Sequence, residues 1–171
     1  MTSCDVGSLL ARVGAGLFQQ AYIVTDRAVA ERSMRMSFGC TRFASFEMEG
    51  DWVYRGRPVS CTLSLAFGRS GDVQIELMQP LHGEGIHFEF LERRGPGLHH
   101  LGFMIDDMAA SVAAAERDGF TAAMSGGFGG VGITYLDTVD ALGLYVELID
   151  DPNGMLARTM PWRDDKQQPH R

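Results

Sequence analysis

The chain has 171 residues, 45% hydrophobic, 22% charged and 9% aromatic, and its formal net charge of -7 comes from 22 acidic against 15 basic side chains. That length is one domain's worth of chain, or two small modules sharing a core, and the composition excludes a disordered, collagenous or disulfide-scaffold protein. The acidic balance, with no basic run longer than Arg93-Arg94, argues against a nucleic-acid partner.

Cys4, Cys40 and Cys61 are odd in number and widely spaced, which suits a reducing compartment, with cytoplasm the expected location. Leu9-Leu10 is interrupted too soon by Arg12 and Gln19-Gln20 to read as a signal peptide, and no apolar run is long enough for a membrane span.

A repeat organises the rest. After an N-terminal extension (1–17), Gln19 to Asp26 reads as a short apolar strand closing on an Asp, and Arg27 to Met34 as a helix. Strands follow at Thr41 to Glu47, Val59 to Phe67 and Val73 to Met78, the last two separated by the turn Arg69-Ser70-Gly71-Asp72. A linker (81–97) carries His82-Gly83-Glu84-Gly85 and Gly95-Pro96-Gly97. The plan then begins again. His100 to Asp107 is a strand closing on Asp, and Met108 to Arg117 is an Ala-rich helix with Asp106 or Asp107 placed to cap it. Phe120 to Met124, Val131 to Leu136 and Gly143 to Ile149 are strands, so each module (18–80 and 98–150) reads β-α-β-β-β, ahead of a polar tail (151–171). The repeat offset, Asp26 to Asp107, is 81 residues.

The Gly-rich stretch 126–130 lacks a Gly-Lys-Ser/Thr ending and reads as a turn or lid, and Met34, Met36 and Met48 as packing residues. The segment Glu49 to Pro58, with Trp52 and Tyr54, reads as a loop that lengthens the first module and shapes specificity.

Side chains alternate along a strand, so parity shows which point together. Leu101, Phe103 and Ile105 form an apolar face and leave His100, Gly102 and Met104 opposite. By the same rule Gln74, Glu76 and Met78 share a face, as do Tyr145, Glu147 and Ile149. In the first strand Gln19, Ala21 and Ile23 oppose Gln20, Tyr22 and Val24, and a register slip of one residue would exchange Gln19 with Gln20. One His, two Glu and one Gln thus fall on corresponding strands, away from the helices. Enclosing them unpaired is costly, and a divalent cation would satisfy the set. A mixed N/O donor set suits Mn, Co, Ni, Mg or Fe, and Zn less exclusively.

The run Gly95-Pro96-Gly97-Leu98-His99-His100-Leu101-Gly102-Phe103-Met104-Ile105-Asp106-Asp107, with Tyr135-Leu136-Asp137-Thr138 and Gly143-Leu144-Tyr145-Val146-Glu147-Leu148-Ile149 after it, resembles the vicinal oxygen chelate superfamily. Within that superfamily the chain is most similar to the glyoxalase-like group that includes methylmalonyl-CoA epimerases, over roughly Phe18 to Asp150. The resemblance implies an α+β fold in which two βαβββ modules form a cup-shaped open barrel around a divalent metal. It places the ligands on Gln19, Glu76, His100 and Glu147, with Glu147 and Glu76 also as catalytic groups. That set is similar to glyoxalase I's, but the Asp-Pro-Asp/Glu-Gly-Tyr-Trp-like run usual before its last strand is absent, which weakens a glutathione substrate.

By parity His99 points to the helix side, whereas His82 and His87 in the linker could line the cup mouth and Tyr145 reads as cup wall. Arg55, Arg57, Arg93 and Arg94 are loop residues that an acyl-CoA would favour at the mouth. The resemblance implies a metal-dependent epimerase, isomerase or lyase acting next to a carbonyl of a small-molecule substrate, and a homodimer. The alternatives are a non-catalytic drug-sequestering protein of the same fold or a ring-cleaving dioxygenase; the latter wants a second His ligand.

Overall fold

Two Asp side chains start the helices that the repeat predicts. Asp26 Oδ1 accepts from the Val29 amide and Asp107 Oδ1 from the Ala110 amide, each at 2.9 Å, satisfying donors that an opening helix leaves free. In the computed structural model, which describes residues 4–40 and 42–156, Asp26 caps α2 (Arg27–Phe38) and Asp107 caps α4 (Met108–Arg117). The first ends at Gly39, whose φ of 66° is the left-handed stop that glycine adopts without a steric penalty.

The strands are β1 (Leu17–Ile23), β2 (Ala44–Tyr54), β3 (Arg57–Ser70), β4 (Val73–Gly83), β5 (Gly97–Met104), β6 (Ala122–Phe128), β7 (Val131–Leu136) and β8 (Tyr145–Asp150). They close into a barrel in the order β1-β4-β3-β2-β6-β7-β8-β5. The modules meet at β1 with β5 and at β2 with β6, so each seam joins a strand to its own counterpart in the repeat. The second seam rests on two pairs, Val53 with Ser125 and Tyr54 with Met124, and the rest of β2 faces no strand there.

Alternation sorts the side chains as parity predicts. Leu63, Leu65, Met78, Tyr135 and Ile149 fill the barrel. Ile75, Leu77 and Ala66 lie outside under α2, and Phe103, Val146 and Leu148 under α4. The N-terminal extension contains α1 (Val6–Val13), which lays Leu9 and Val13 on this second outer cluster. Each such fully buried side chain contributes about 1.5–3 kcal/mol.

Three segments differ from the sequence reading. Glu49 to Pro58 is no loop: β2 and β3 continue as a hairpin to a tight turn at Arg55-Gly56, and Trp52 is buried. The stretch 81–97 carries α3 (Ile86–Arg94), whose Ile86 and Phe90 enter the barrel core. Gly126 and Gly127 belong to β6, leaving Gly129 and Gly130 as the turn. A short helix, α5 (Val139–Leu142), precedes β8. Thr41 and residues 157–171 lie outside the described residues, and no described helix is long and apolar enough to cross a membrane.

Removing the α4 cap with Asp107→Ala is expected to cost about 1 kcal/mol, read as a lower urea midpoint at unchanged slope.

Candidate metal centre

Gln19, Glu76, His100 and Glu147, each from a different strand, meet inside the barrel, where all are buried. Strand register brings them there. Ala21 of β1 pairs with both Glu76 and His100, and Gly102 of β5 pairs with both Gln19 and Glu147. His100 Nε2 is the hub, 2.9 Å from Gln19 Oε1, 3.1 Å from Glu147 Oε2 and 3.5 Å from Glu76 Oε2. Gln19, not Gln20, faces the interior, while Gln20 is half-buried beside the Tyr22 hydroxyl.

Residues outside the expected set complete the site. Gln74 Oε1 accepts from Gln19 Nε2, which turns the Gln19 carbonyl oxygen towards His100. The Tyr135 hydroxyl hydrogen-bonds Glu147, and its ring lies 5.2 Å from that of His100. Parity had already placed Gln74 beside Glu76; Tyr135 has the same signal, standing across from Glu147 in the β7–β8 register.

His99 does not point to the helix side. Ala21 pairs with His100 and Tyr22 with Leu98, so His99 is the extra residue of a β-bulge, which breaks the alternation and turns it inward as well. Its Nδ1 lies 3.0 Å from His100 Nδ1. Of the linker histidines, His82 is exposed on β4, whereas His87 of α3 is buried and stacks on His99 at 5.2 Å. Tyr145 packs between Phe90 and His99. Arg55 and Arg57 pair with Glu89 and Glu84, holding α3 and the residues before it to the β2–β3 turn, and Arg93 pairs with Glu89 within α3.

Trp52, Tyr135, Phe128 and Leu156 line a cavity that also touches Gln19, Glu76 and Glu147. About 30 Å³ of it is open to the centre of a water-sized sphere, room for about two waters. The Trp52 indole occupies a slot between two glycines: a Cβ on Gly126 would stand 2.5 Å from its ring and one on Gly50 2.9 Å from its Nε1.

Burial by itself would lower the His100 pKa, but the charges and hydrogen bonds of Glu147 and Glu76 overcome this and push it up to about 9. Burial raises the Glu76 carboxyl and the Glu147 charge adds to it, against the pull of His100. In the metal-free cluster His100 is therefore an imidazolium. His87 is driven down to about 3, by burial and then by the His100 charge, and is neutral.

The donor set suits a divalent cation: an imidazole nitrogen, two carboxylates and an amide oxygen on one spot. Gly102 is the structural sign of fit, because a Cβ there would lie 2.8 Å from Glu147 Oε2 and 3.0 Å from Gln19 Oε1. Glu147 Oε2 also makes no hydrogen bond of normal geometry despite its closeness to His100. The donors are drawn onto His100 itself, so among the described residues no three His, Cys, Asp or Glu stand in coordinating geometry.

Comparison with known proteins agrees with this architecture. The family model of the Glyoxalase/Bleomycin resistance protein/Dioxygenase superfamily matches residues 18–135. The chain belongs to this superfamily. Methylmalonyl-CoA epimerase from Mycobacterium tuberculosis superposes with a TM-score of 0.61 at 22% identity, covering 92% of this chain and 95% of that one. A Streptomyces coelicolor methylmalonyl-CoA epimerase variant in complex with 2-nitronate-propionyl-CoA gives 0.55 at 19% identity, over 79% and 96%. At these identities the likeness is one of fold. The uncharacterized protein YqjC of Bacillus subtilis is 35% identical over 52 residues, 30% of this chain and 37% of that protein. The match thus spans little more than a third of the relative's length.

Two outcomes follow from this geometry. Gly102→Ala is expected to weaken Co(II) binding at least about tenfold, measured by calorimetry, with the far-UV circular dichroism unchanged. His100 holds its proton to about pH 9 when folded and metal-free, but only to its ordinary value of 6.5 when unfolded. Its stabilising contribution is therefore complete below about pH 6.5 and is lost as pH rises through about 9. Urea midpoints of metal-free protein should fall across that window, and this fall should be absent in His100→Gln.

Proposed function

We propose that this protein is a metal-dependent isomerase or epimerase that moves a proton at the carbon next to a carbonyl of a small acyl or 2-oxo substrate. The observation that carries the proposal is the pair of acidic side chains, Glu76 and Glu147, delivered from different modules and held 3.5 and 3.1 Å from the same imidazole nitrogen beside a small, largely apolar cavity. A divalent ion held by Gln19, Glu76, His100 and Glu147 would supply Lewis-acid stabilisation of charge developing on the substrate oxygen.

The chain's own groups do the rest. One carboxylate takes the proton from the carbon while the C–H electron pair moves into the carbonyl; as the carbonyl re-forms, the same group gives that proton back, or the other, starting as the protonated carboxyl, gives its own and ends as the carboxylate. Tyr135 donates to Glu147 and so fixes the direction in which that carboxylate faces. Burial raises the Glu76 carboxyl, which brings it nearer to the range in which a carboxyl both gives and takes a proton. Met78, Phe128 and Leu156 provide an apolar wall for the unreactive part of the substrate and keep water out.

An acyl-CoA is among the substrates to be tried, given the fold shared with acyl-CoA-binding epimerases. A homodimer in the cytoplasm is part of the same proposal, as is the choice among Co, Ni, Mn, Zn, Mg and Fe.

The test is metal content of protein purified without a tag or chelator, beside Glu147→Gln prepared identically, followed by proton-exchange assays in deuterated water on 2-oxo compounds and acyl-CoA thioesters. About one divalent ion per chain, together with exchange at the carbon next to the carbonyl that falls at least about a hundredfold in Glu147→Gln, is the expected result. Protein that carries no ion and takes up none of Mn, Co, Ni or Zn would overturn the proposal and leave a small-molecule-binding cup of the same fold.

A further inference from the structure

His99 has no part in the ligand set, yet it is completely buried and lies directly behind the hub of the cluster. Its ring is clamped on several sides. His87 of α3 stacks on it at 5.2 Å with an interplanar angle of 20°, Phe90 meets it edge-on at 4.9 Å, and Tyr145 lies 5.0 Å away. A histidine held this firmly cannot rotate to seek another partner, and its Nδ1 faces His100 Nδ1 at 3.0 Å.

Two facing imidazole nitrogens at that distance form a hydrogen bond only if one carries the proton and the other does not. His100 Nε2 is the nitrogen that faces Gln19 Oε1 and two carboxylates, and to hold an ion among those donors it must be bare, so the ring's proton then sits on Nδ1. His99 Nδ1 faces that proton and accepts its hydrogen bond.

We propose that His99 is a positioning residue: by accepting the His100 Nδ1–H it keeps the proton on that side of the ring and commits His100 Nε2 to the Gln19/Glu76/Glu147 cluster. An imidazole bound to a metal through one nitrogen is ordinarily oriented by a hydrogen bond from the other, most often to a carboxylate or carbonyl. Here a second imidazole does it, supplied by the β-bulge in β5 and braced from behind by α3. His87, which the linker contributes, is the brace: Gly85, at φ 150°, opens α3 so that His87 enters in its first turn.

The proposal rests on the metal-centre reading, because an ion on His100 Nε2 is what leaves the ring's proton to Nδ1. The test therefore has two arms. In Zn(II)-loaded protein with 15N-labelled histidine, NMR is expected to show His99 bare at Nδ1 and protonated at Nε2, with a scalar coupling through the hydrogen bond between the two Nδ1 atoms. A proton resident on His99 Nδ1 would overturn the proposal. In the second arm Co(II) affinity is measured for His99→Phe, which keeps a ring but no acceptor, and for His99→Asn, whose side-chain oxygen can replace Nδ1.

Affinity is expected to fall about 10- to 100-fold in His99→Phe and to recover largely in His99→Asn. Equal affinity in wild type and His99→Phe would overturn the positioning role, as would a loss that His99→Asn does not repair. Wild-type protein that takes up neither Zn(II) nor Co(II) would overturn the metal centre and this proposal with it, whereas Co(II) binding that is indifferent to position 99 would overturn the positioning role alone, so the two readings fail separately. If His99→Phe does not fold, the wild-type coupling and the His99→Asn affinity still decide the matter.

Discussion

The structure depends on keeping an imidazole, two carboxylates and an amide together at the centre of a barrel that is otherwise apolar. Any one of them buried alone would be strongly destabilising, and removing one partner of a buried charge pair typically costs about 3–5 kcal/mol. Together they converge on a single atom, His100 Nε2, whose charge offsets that of the acidic groups beside it. Surrounding choices follow from that need. Gln74 turns the Gln19 amide, Tyr135 supplies a donor to Glu147, and Gly102 withholds a side chain where one would collide with both.

The barrel is built to keep this cluster dry. Helix α3 closes one side with Ile86 and Phe90, and Leu156 packs into the same core from the segment after β8. By the repeat these two segments are equivalents, each following the last strand of its module. The arginines Arg55, Arg57 and Arg93, which could have been read as hands for an anionic substrate, are spent on acidic partners around α3. Their pairs are largely exposed and individually weak, so apolar burial of Ile86 and Phe90 does most to seat the helix. Low dielectric within the cup strengthens interactions among the buried groups and makes each unsatisfied one expensive.

Duplication supplies the scaffold and local departures from it supply the chemistry. β1 and β5 are equivalents, yet one brings Gln19 and the other His100 to the cluster. The bulge that carries His99 is a departure in β5 itself, and it gives the second module a buried imidazole pair where the first has an amide pair, Gln19 with Gln74. Strand alternation made the cluster legible because its polar side chains stand on one face of strands whose other face is apolar, which leaves a period of two in the residue types. It misled at His99 because a bulge shifts the phase without leaving a mark in composition.

By itself the sequence determined the repeat, a helix after Asp26 and another after Asp106-Asp107, and the faces of Glu76, His100 and Glu147, all of which follow from local capping and alternation. It left Gln19 and Gln20 undecided, and it read Glu49 to Pro58 as a loop and residues 81–97 as a linker. Tertiary structure decided those points. Pairing with β3 carries β2 through Trp52, which finds space only against Gly126 from the other module. Contact with the barrel core gives α3 its place, and pairing of β1 with β4 and β5 sets the register that turns Gln19 inward. These are contacts between residues far apart in the chain, and their energies are absent from any local pattern.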